Sequence, residues 1–243
     1  MMSFLAKLDR RLTLGALVLL ASLALLGVGL FSIIVTLTGD DSHLPSSGSL
    51  NDILRDADLS AQDLASTATA GQSGPPPPAP VRIIIPRLYI EAPVVAMGLT
   101  PDNYPDVPND PNDVAWYTFS AAPGQSSNAV FSGHVDWITS RGDPIPGVFY
   151  RLRELEIGDV ITVNLDNGSQ MQYRVTGNVA TAYDDPNVLK VMQGTSKDVI
   201  TLITCGGTWQ KDYRARYGGN YSHRVIVRAE KIQGLAGGGV GGG

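Results

Sequence analysis

Apolar positions along the chain follow two regimes. Leu12 to Thr38 is an unbroken run of 27 uncharged residues rich in Leu, Val, Ala and Ile, without the polar stripe that a surface helix carries. A hydrocarbon core needs about 20 such residues, so the run predicts one N-terminal transmembrane helix. It is too long for the roughly 7 to 15 apolar residues of a cleaved signal peptide. From Val81 onward the pattern changes to short β-branched stretches: Val81–Ile90, Ala129–Ser132, Val160–Leu165, Gln170–Val175, Val199–Thr204 and Arg224–Ala229. Asp166-Asn167-Gly168, between two of them, is a hairpin-turn signal. Strands this closely spaced, joined by Pro, Gly and Asp loops with no long helical pattern between them, predict a mainly β, closed or nearly closed barrel rather than a βαβ architecture.

The intervening stretches complete the division. Residues 1–11 carry Lys7, Arg10 and Arg11 against Asp9; positive charge before a span holds that end in the cytoplasm. The chain after the 12–38 signal anchor is therefore expected outside the membrane. Residues 39–80 are acidic and then proline-rich, ending in Gly74 and Pro75–Pro78, the composition of a linker with a stiff end. Within it a short helix is possible in Asn51–Ala65. Residues 81–232 are long enough for one core, and 233–243 form a glycine-rich tail.

Composition narrows the partners. The 243 residues hold 18 Lys+Arg against 23 Asp+Glu, a net charge of −5, which lacks the basic excess that nucleic-acid binding draws on. Cys205 is the single cysteine, so neither an internal disulfide nor a multi-cysteine zinc site is available. It closes the apolar run from Val199, and Gly206-Gly207 after it would let a substrate backbone come close. A thiol with a pKa of about 8.5 is mostly protonated at neutral pH and needs a base or a cation beside it. Of the three histidines, His43 lies in the linker, His223 beside the last strand, and His134 within Phe131-Ser-Gly-His-Val-Asp-Trp, delivered by an apolar strand as Cys205 is. An oxyanion formed on a carbonyl needs amides or a cation. The period of 2 puts Arg224, Ile226 and Arg228 on one face of the last strand and His223, Val225 and Val227 on the other. A buried cysteine, a structural histidine and a solvent-facing arginine remain the alternatives on these grounds alone.

Taken with the segments around them, these residues resemble the sortases, membrane-anchored bacterial cysteine transpeptidases. The resemblance spans Val81 to Ile232 and is carried by Ile85-Pro86, Ala92-Pro-Val-Val-Ala, Ala115-Trp116-Tyr117, Pro123-Gly124, Gly133-His134-Val135-Asp136, Phe149, Leu152, Leu155, Gly158-Asp159, Thr201-Leu-Ile-Thr-Cys205 and Arg224-Val-Ile-Val-Arg-Ala. It implies a closed eight-stranded β-barrel with short helices. Cys205 would be the nucleophile that forms an acyl-thioester, His134 the proton donor and acceptor, and Arg224 the cation for substrate and oxyanion. Arg228 on the same face, and Arg214 and Arg216 in the preceding loop, compete for the last role. Thr204 and Trp209 are expected to bind substrate, Trp137 to wall the groove, and Asp136 either to orient His134 or to serve only as loop polarity.

The implied function is cleavage of a Leu-Pro-x-Thr-Gly-like C-terminal sorting signal after Thr, with transfer of the secreted protein to an amine acceptor of the cell envelope. No cofactor and no metal are expected: Asp184-Asp185-Pro186 is turn chemistry, and with Asp143 it falls short of the roughly six to eight oxygens of a calcium site. Leu44-Pro45-Ser46-Ser47-Gly48, one residue away from that signal, reads as a chance match in a Ser/Gly/Pro-rich linker. Gly206-Gly207 and the lack of an Asp-Pro-aromatic signature ahead of the barrel favour the housekeeping or attachment-type sortases over pilin polymerases. The competing reading is a catalytically silent, membrane-tethered barrel that only binds peptides.

Overall fold

The run Val81–Ile90, read as one strand, is two. Pro86-Arg87-Leu88 form a 3-10 turn that ends at Tyr89 in the left-handed region, φ 57°. Proline presets the first φ of that turn. The chain reverses there, so β1 (Pro80–Ile85) and β2 (Ile90–Met97) pair antiparallel with Ile85 opposite Ile90. The structure is a computed structural model that describes residues 45, 49–55, 75–212 and 218–233. The Leu12–Thr38 span, His43, Arg214, Arg216 and the chain past 233 lie outside the described residues. Among the described residues no helix is long and apolar enough to cross a membrane.

Eight strands close into a barrel in the order β1-β2-β3-β4-β9-β10-β8-β7, with β7 returning to β1. The further members are β3 (Val114–Tyr117), β4 (Asn128–Ser132), β7 (Val160–Leu165), β8 (Gln170–Ala182), β9 (Val199–Lys211) and β10 (Gly219–Lys231). A separate hairpin pairs β5 (Asp136–Ile138) with β6 (Pro144–Pro146). The pairs β2–β3 and β4–β9 are parallel and the other barrel pairs antiparallel. Alternation in β7 buries Ile161, Val163 and Leu165. These meet Ile83, Phe131, Phe149, Leu202 and Val227 in the interior, each worth about 1.5–3 kcal/mol on burial. Tyr173 is also fully buried there, and its hydroxyl donates to Asp198 Oδ1 (3.0 Å) and accepts from the Gly124 N–H (2.9 Å).

A second apolar layer coats the outer face of β8, β9 and β10. The 3-10 segment Val188–Met192 lays Val191 on Val179 and Ile226, and Ile53 joins the same cluster. Ile53 belongs to α1 (Leu50–Leu54), whose N-cap Ser49 donates its N–H to Asp52 Oδ2 at 3.0 Å. Gly177 leaves the room: a Cβ there would come within 3.3 Å of Ile53. Part of the stretch read as linker therefore docks on the barrel. Beneath Val188–Met192 a polar set fixes the layer: Asn128 Nδ2 donates to the carbonyls of Val191 and Gln193 (both 2.9 Å), Thr201 Oγ1 to Asn128 Oδ1 (2.7 Å), and Arg228 Nη2 to Val191 O (3.3 Å).

Candidate active site

Two strand pairings bring the sequence-predicted groups together. In the antiparallel pair β9–β10, Cys205 stands directly opposite Arg224, so both side chains share one face with Cβ atoms about 5 Å apart. In the parallel pair β4–β9, Ser132 is level with Ile203. The contact persists one step past β4, where the Gly133 N–H donates to Ile203 O (3.3 Å) and Thr204 Oγ1 donates to Gly133 O (2.8 Å). Extending that register by one more residue sets His134 level with Cys205. A row His134–Cys205–Arg224 thus crosses three adjacent strands on the outer face of the barrel, where the apolar part of β9 ends.

Cys205 does not sit at a strand terminus, as the sequence suggests. β9 runs on to Lys211, but its register slips after Gly206 opposite His223, so that Trp209 faces Tyr221. Gly207, at φ 75°, takes up the slip, as a glycine does in a bulge. A Cβ there would meet His223 Nδ1 at 2.6 Å. The thiol is half-buried, and burial pushes its pKa up. Arg224 pulls it down again, and the Asp136 carboxylate pushes it up. The resting sulfur therefore holds its proton and depends on a base. Arg224 is anchored as a cation at the row: Nη2 donates to Asn220 Oδ1 (2.8 Å) and Nη1 to His223 O (2.9 Å), with the guanidinium 5.8 Å from the Tyr183 ring centre.

His134 is half-buried and its Nε2 lies 2.8 Å from the carbonyl of Pro108, itself buried. A carbonyl only accepts, so Nε2 carries the proton of the neutral ring and Nδ1 is left as the basic nitrogen. Trp137 meets the ring edge-on at 4.9 Å, so it supports His134. Asp136 does not hold His134 but accepts a hydrogen bond from the Tyr221 hydroxyl. On β3, the Tyr117 hydroxyl meets Ser132 Oγ (2.7 Å) and donates to Asp106 O (3.1 Å), and its pKa is raised chiefly by burial.

Thr204 is 4% exposed and its hydroxyl donates to Gly133 O, because a residue next to an outward-facing strand residue points inward; this bond ties β9 to the chain after β4. Arg228 pairs with Thr201, four residues along from the thiol, and is buried under Val188–Met192. Trp209 is 46% exposed on Tyr221, and His223 donates to or accepts from Ser222 Oγ at 2.8 Å rather than joining the row. Pro108, Tyr221, Asn220 and Tyr183 escaped the sequence reading: a backbone carbonyl and a loop side chain carry no pattern, and Asn220 and Tyr221 lie on the part of β10 ahead of the apolar run from Arg224. Two surface hollows of about 430 and 290 Å³ lie beside α1 and beside Phe119, and neither is lined by the row. No group of three or more metal-binding side chains occurs among the described residues.

Comparison with known proteins gives a match to the family model described as "Sortase domain" over residues 83–232. No curated protein matches. Among solved structures, the chain is similar to sortase C1 from Streptococcus suis (19% identity, 65% of this chain and 74% of that one, TM-score 0.45). It is similar to sortase C-1 from Actinomyces oris (21%, 79% and 92%, 0.45). A lid mutant of sortase A from Corynebacterium diphtheriae is a third (20%, 75% and 92%, 0.47).

Proposed function

From the premise that the chain belongs to the sortase family, whose members are cysteine transpeptidases, we propose that it is a cell-surface enzyme acting on sorting signals. Its anchor would be the Leu12–Thr38 span, with the N-terminus cytoplasmic and the barrel outside. The substrate would be a secreted protein ending in a Leu-Pro-x-Thr-Gly-like signal. Gly206-Gly207 after the thiol and the lack of an Asp-Pro-aromatic signature ahead of the barrel support the housekeeping or attachment type.

The carrying observation is the pairing of the thiol with a cation directly across β9–β10; the β4–β9 register, extended two residues past Ser132, supports an imidazole level with it on the other side. Cys205 Sγ attacks the Thr carbonyl carbon as its proton passes to the free nitrogen of His134. Arg224 faces the oxygen that gains charge, a role for which a fixed cation is typically worth a few kcal/mol. The C–N bond breaks and the Gly amine leaves with the proton from the imidazolium, which gives the acyl-thioester. An amine of the cell envelope then takes the acyl group and the C–S bond breaks. Because the thiol must lose a proton and the imidazolium must keep one, the rate is bell-shaped in pH.

The test uses the full-length protein with a library of Leu-x-x-Thr-Gly-type peptides and hydroxylamine, read by mass spectrometry. Hydroxamate on Thr, abolished in Cys205→Ala, is the expected result. Peptide binding that survives in Cys205→Ala, with no hydroxamate from the wild type, would return the silent-barrel reading instead.

A further inference from the structure

One carboxylate stands at the row without a part in acylation. Asp136 lies two residues past His134 at the start of β5, half-buried, and its Oδ2 accepts from the Tyr221 hydroxyl. Tyr221 belongs to the other side of the thiol: its carbonyl accepts from Arg224 Nη1 at 3.4 Å, and its ring packs edge-on against Trp209 at 5.2 Å. The tyrosine therefore holds the acid across the groove, between the His134 side and the Arg224 side. Several acids elsewhere on the barrel have a cation beside them, Glu91 with Arg82, Glu156 with Arg87 and Glu154 with Arg151. Asp136 forms no ion pair among the described residues. Its charge also works against the thiolate of Cys205. A fixed acid that opposes the nucleophile serves another step.

Resting on the transpeptidase reading, we propose that Asp136 is the binding residue for the acceptor's ammonium group, receiving a primary amine beside the thioester. Acylation neutralises the sulfur, so the acid then opposes nothing. Arg224 alone would repel an incoming cation, and the carboxylate across the groove supplies the opposite sign. The transfer balances: of the three ammonium protons one stays in the new amide, one goes to His134 and one leaves to solvent. The C–N bond forms, the C–S bond breaks, and Sγ departs as thiolate beside the imidazolium.

The test is a partition experiment on the full-length protein with a peptide that yields hydroxamate. The acyl-enzyme is offered hydroxylamine, uncharged at neutral pH, together with triglycine, whose α-amine (pKa about 7.7–8.0) is largely protonated. In Asp136→Asn the triglycine-to-hydroxylamine product ratio should fall about tenfold, the scale of one charge-assisted hydrogen bond. Tyr221→Phe keeps the charge and should hold the ratio within about twofold. Melting curves and alkylation of Cys205 check that both variants fold. An unchanged ratio in Asp136→Asn overturns the proposal, as does an equal fall in Tyr221→Phe, which would make the pair a structural strap. A wild-type protein that forms no hydroxamate with any peptide removes the transpeptidase reading itself, before any variant is compared.

Discussion

Replacing Gly147 by alanine perturbs the position of His134 without changing any residue of the row. Gly147 follows β6, its N–H donates to Val135 O (2.9 Å), and two residues on the Phe149 N–H donates to His134 O (2.9 Å). A Cβ on Gly147 would stand 2.7 Å from the carbonyl carbon and 2.8 Å from the Cβ of His134. The nearest atom would be the His134 carbonyl oxygen, and ordinary contact begins near 3.4 Å, so the two backbones have to part by roughly 1 Å, a misplacement that costs up to about 100-fold in rate. The expected result is a fall in hydroxamate formation of about 10- to 100-fold, with an overpacking cost of about 1–3 kcal/mol in urea unfolding. Alkylation of Cys205 by a neutral reagent should stay within about twofold, since the thiol's own neighbours are untouched. Gly98→Ala, where a Cβ meets nothing within 4 Å, is the control. Hydroxamate formation within twofold of wild type in a folded Gly147→Ala protein would refute the claim that the segment after β4 sets the acid–base geometry.

Three further outcomes follow from the same contacts. Arg224→Gln removes the cation that lowers the thiol's pKa; with screening at a half-exposed site this is worth about 1 kcal/mol, so iodoacetamide should react about fivefold more slowly at pH 7, and an unaltered rate–pH curve would contradict it. Arg228→Ala, which strips a buried donor from Val191, should cost about 3 kcal/mol in urea unfolding, against about 1 kcal/mol or less for Arg224→Ala; equal losses would undo the assignment of Arg228 to the fold and Arg224 to the groove. Tyr173 and Tyr117 hold their phenol protons above the ordinary range, in both cases mainly through burial. Raised values mean that the folded state keeps protons the unfolded state sheds, so stability is full below about pH 10 and falls above it by about 1.4 kcal/mol per pH unit per phenol. Urea midpoints at pH 9, 10 and 11 should drop less steeply in Tyr173→Phe, and parallel slopes would count against the burial argument.

The barrel was readable because its strands alternate cleanly. The alternation in β7, the turn Asp166–Gly168 and the β-branched runs of β9 and β10 each state a buried face. What escaped was short or broken by one residue. Pro86 sits inside a β-branched run and turns the chain within three residues, while β5 and β6 have three residues each and bury little. The outer-face layer was invisible for a different reason. Val179 and Ile226 read as ordinary strand residues, and only the segment Val188–Met192 and Ile53 lying on them show that β8 and β10 are buried on both faces. The placement of Thr204 is instructive: the alternation that separated His223 from Arg224 also separates Thr204 from Cys205 and turns it inward.

The site itself was legible as residue types and not as geometry, and the missing quantity was register. A parallel pair keeps the difference of two residue numbers constant and an antiparallel pair keeps their sum, so one pairing fixes every other along the strands. In β4–β9 the offset is 71, as for Gly133 and Thr204, and His134 and Cys205 differ by that same offset. In β9–β10 the pairing of Gly206 with His223 brings Cys205 to Arg224. Spacing in the sequence therefore encoded the row all along, but reading it required knowing that β4 and β9 are neighbours and parallel. That adjacency joins strands separated by β5 to β8, and a local pattern cannot announce it. The bulge at Gly207 then shifts the register by one residue just beyond the thiol, and the re-paired chain after it brings Tyr221 to Asp136. The nucleophile sits one pair before the bulge, and the groups that would tune it come from the re-paired start of β10, which carries Tyr221 and Asn220, and from β5, which carries Asp136.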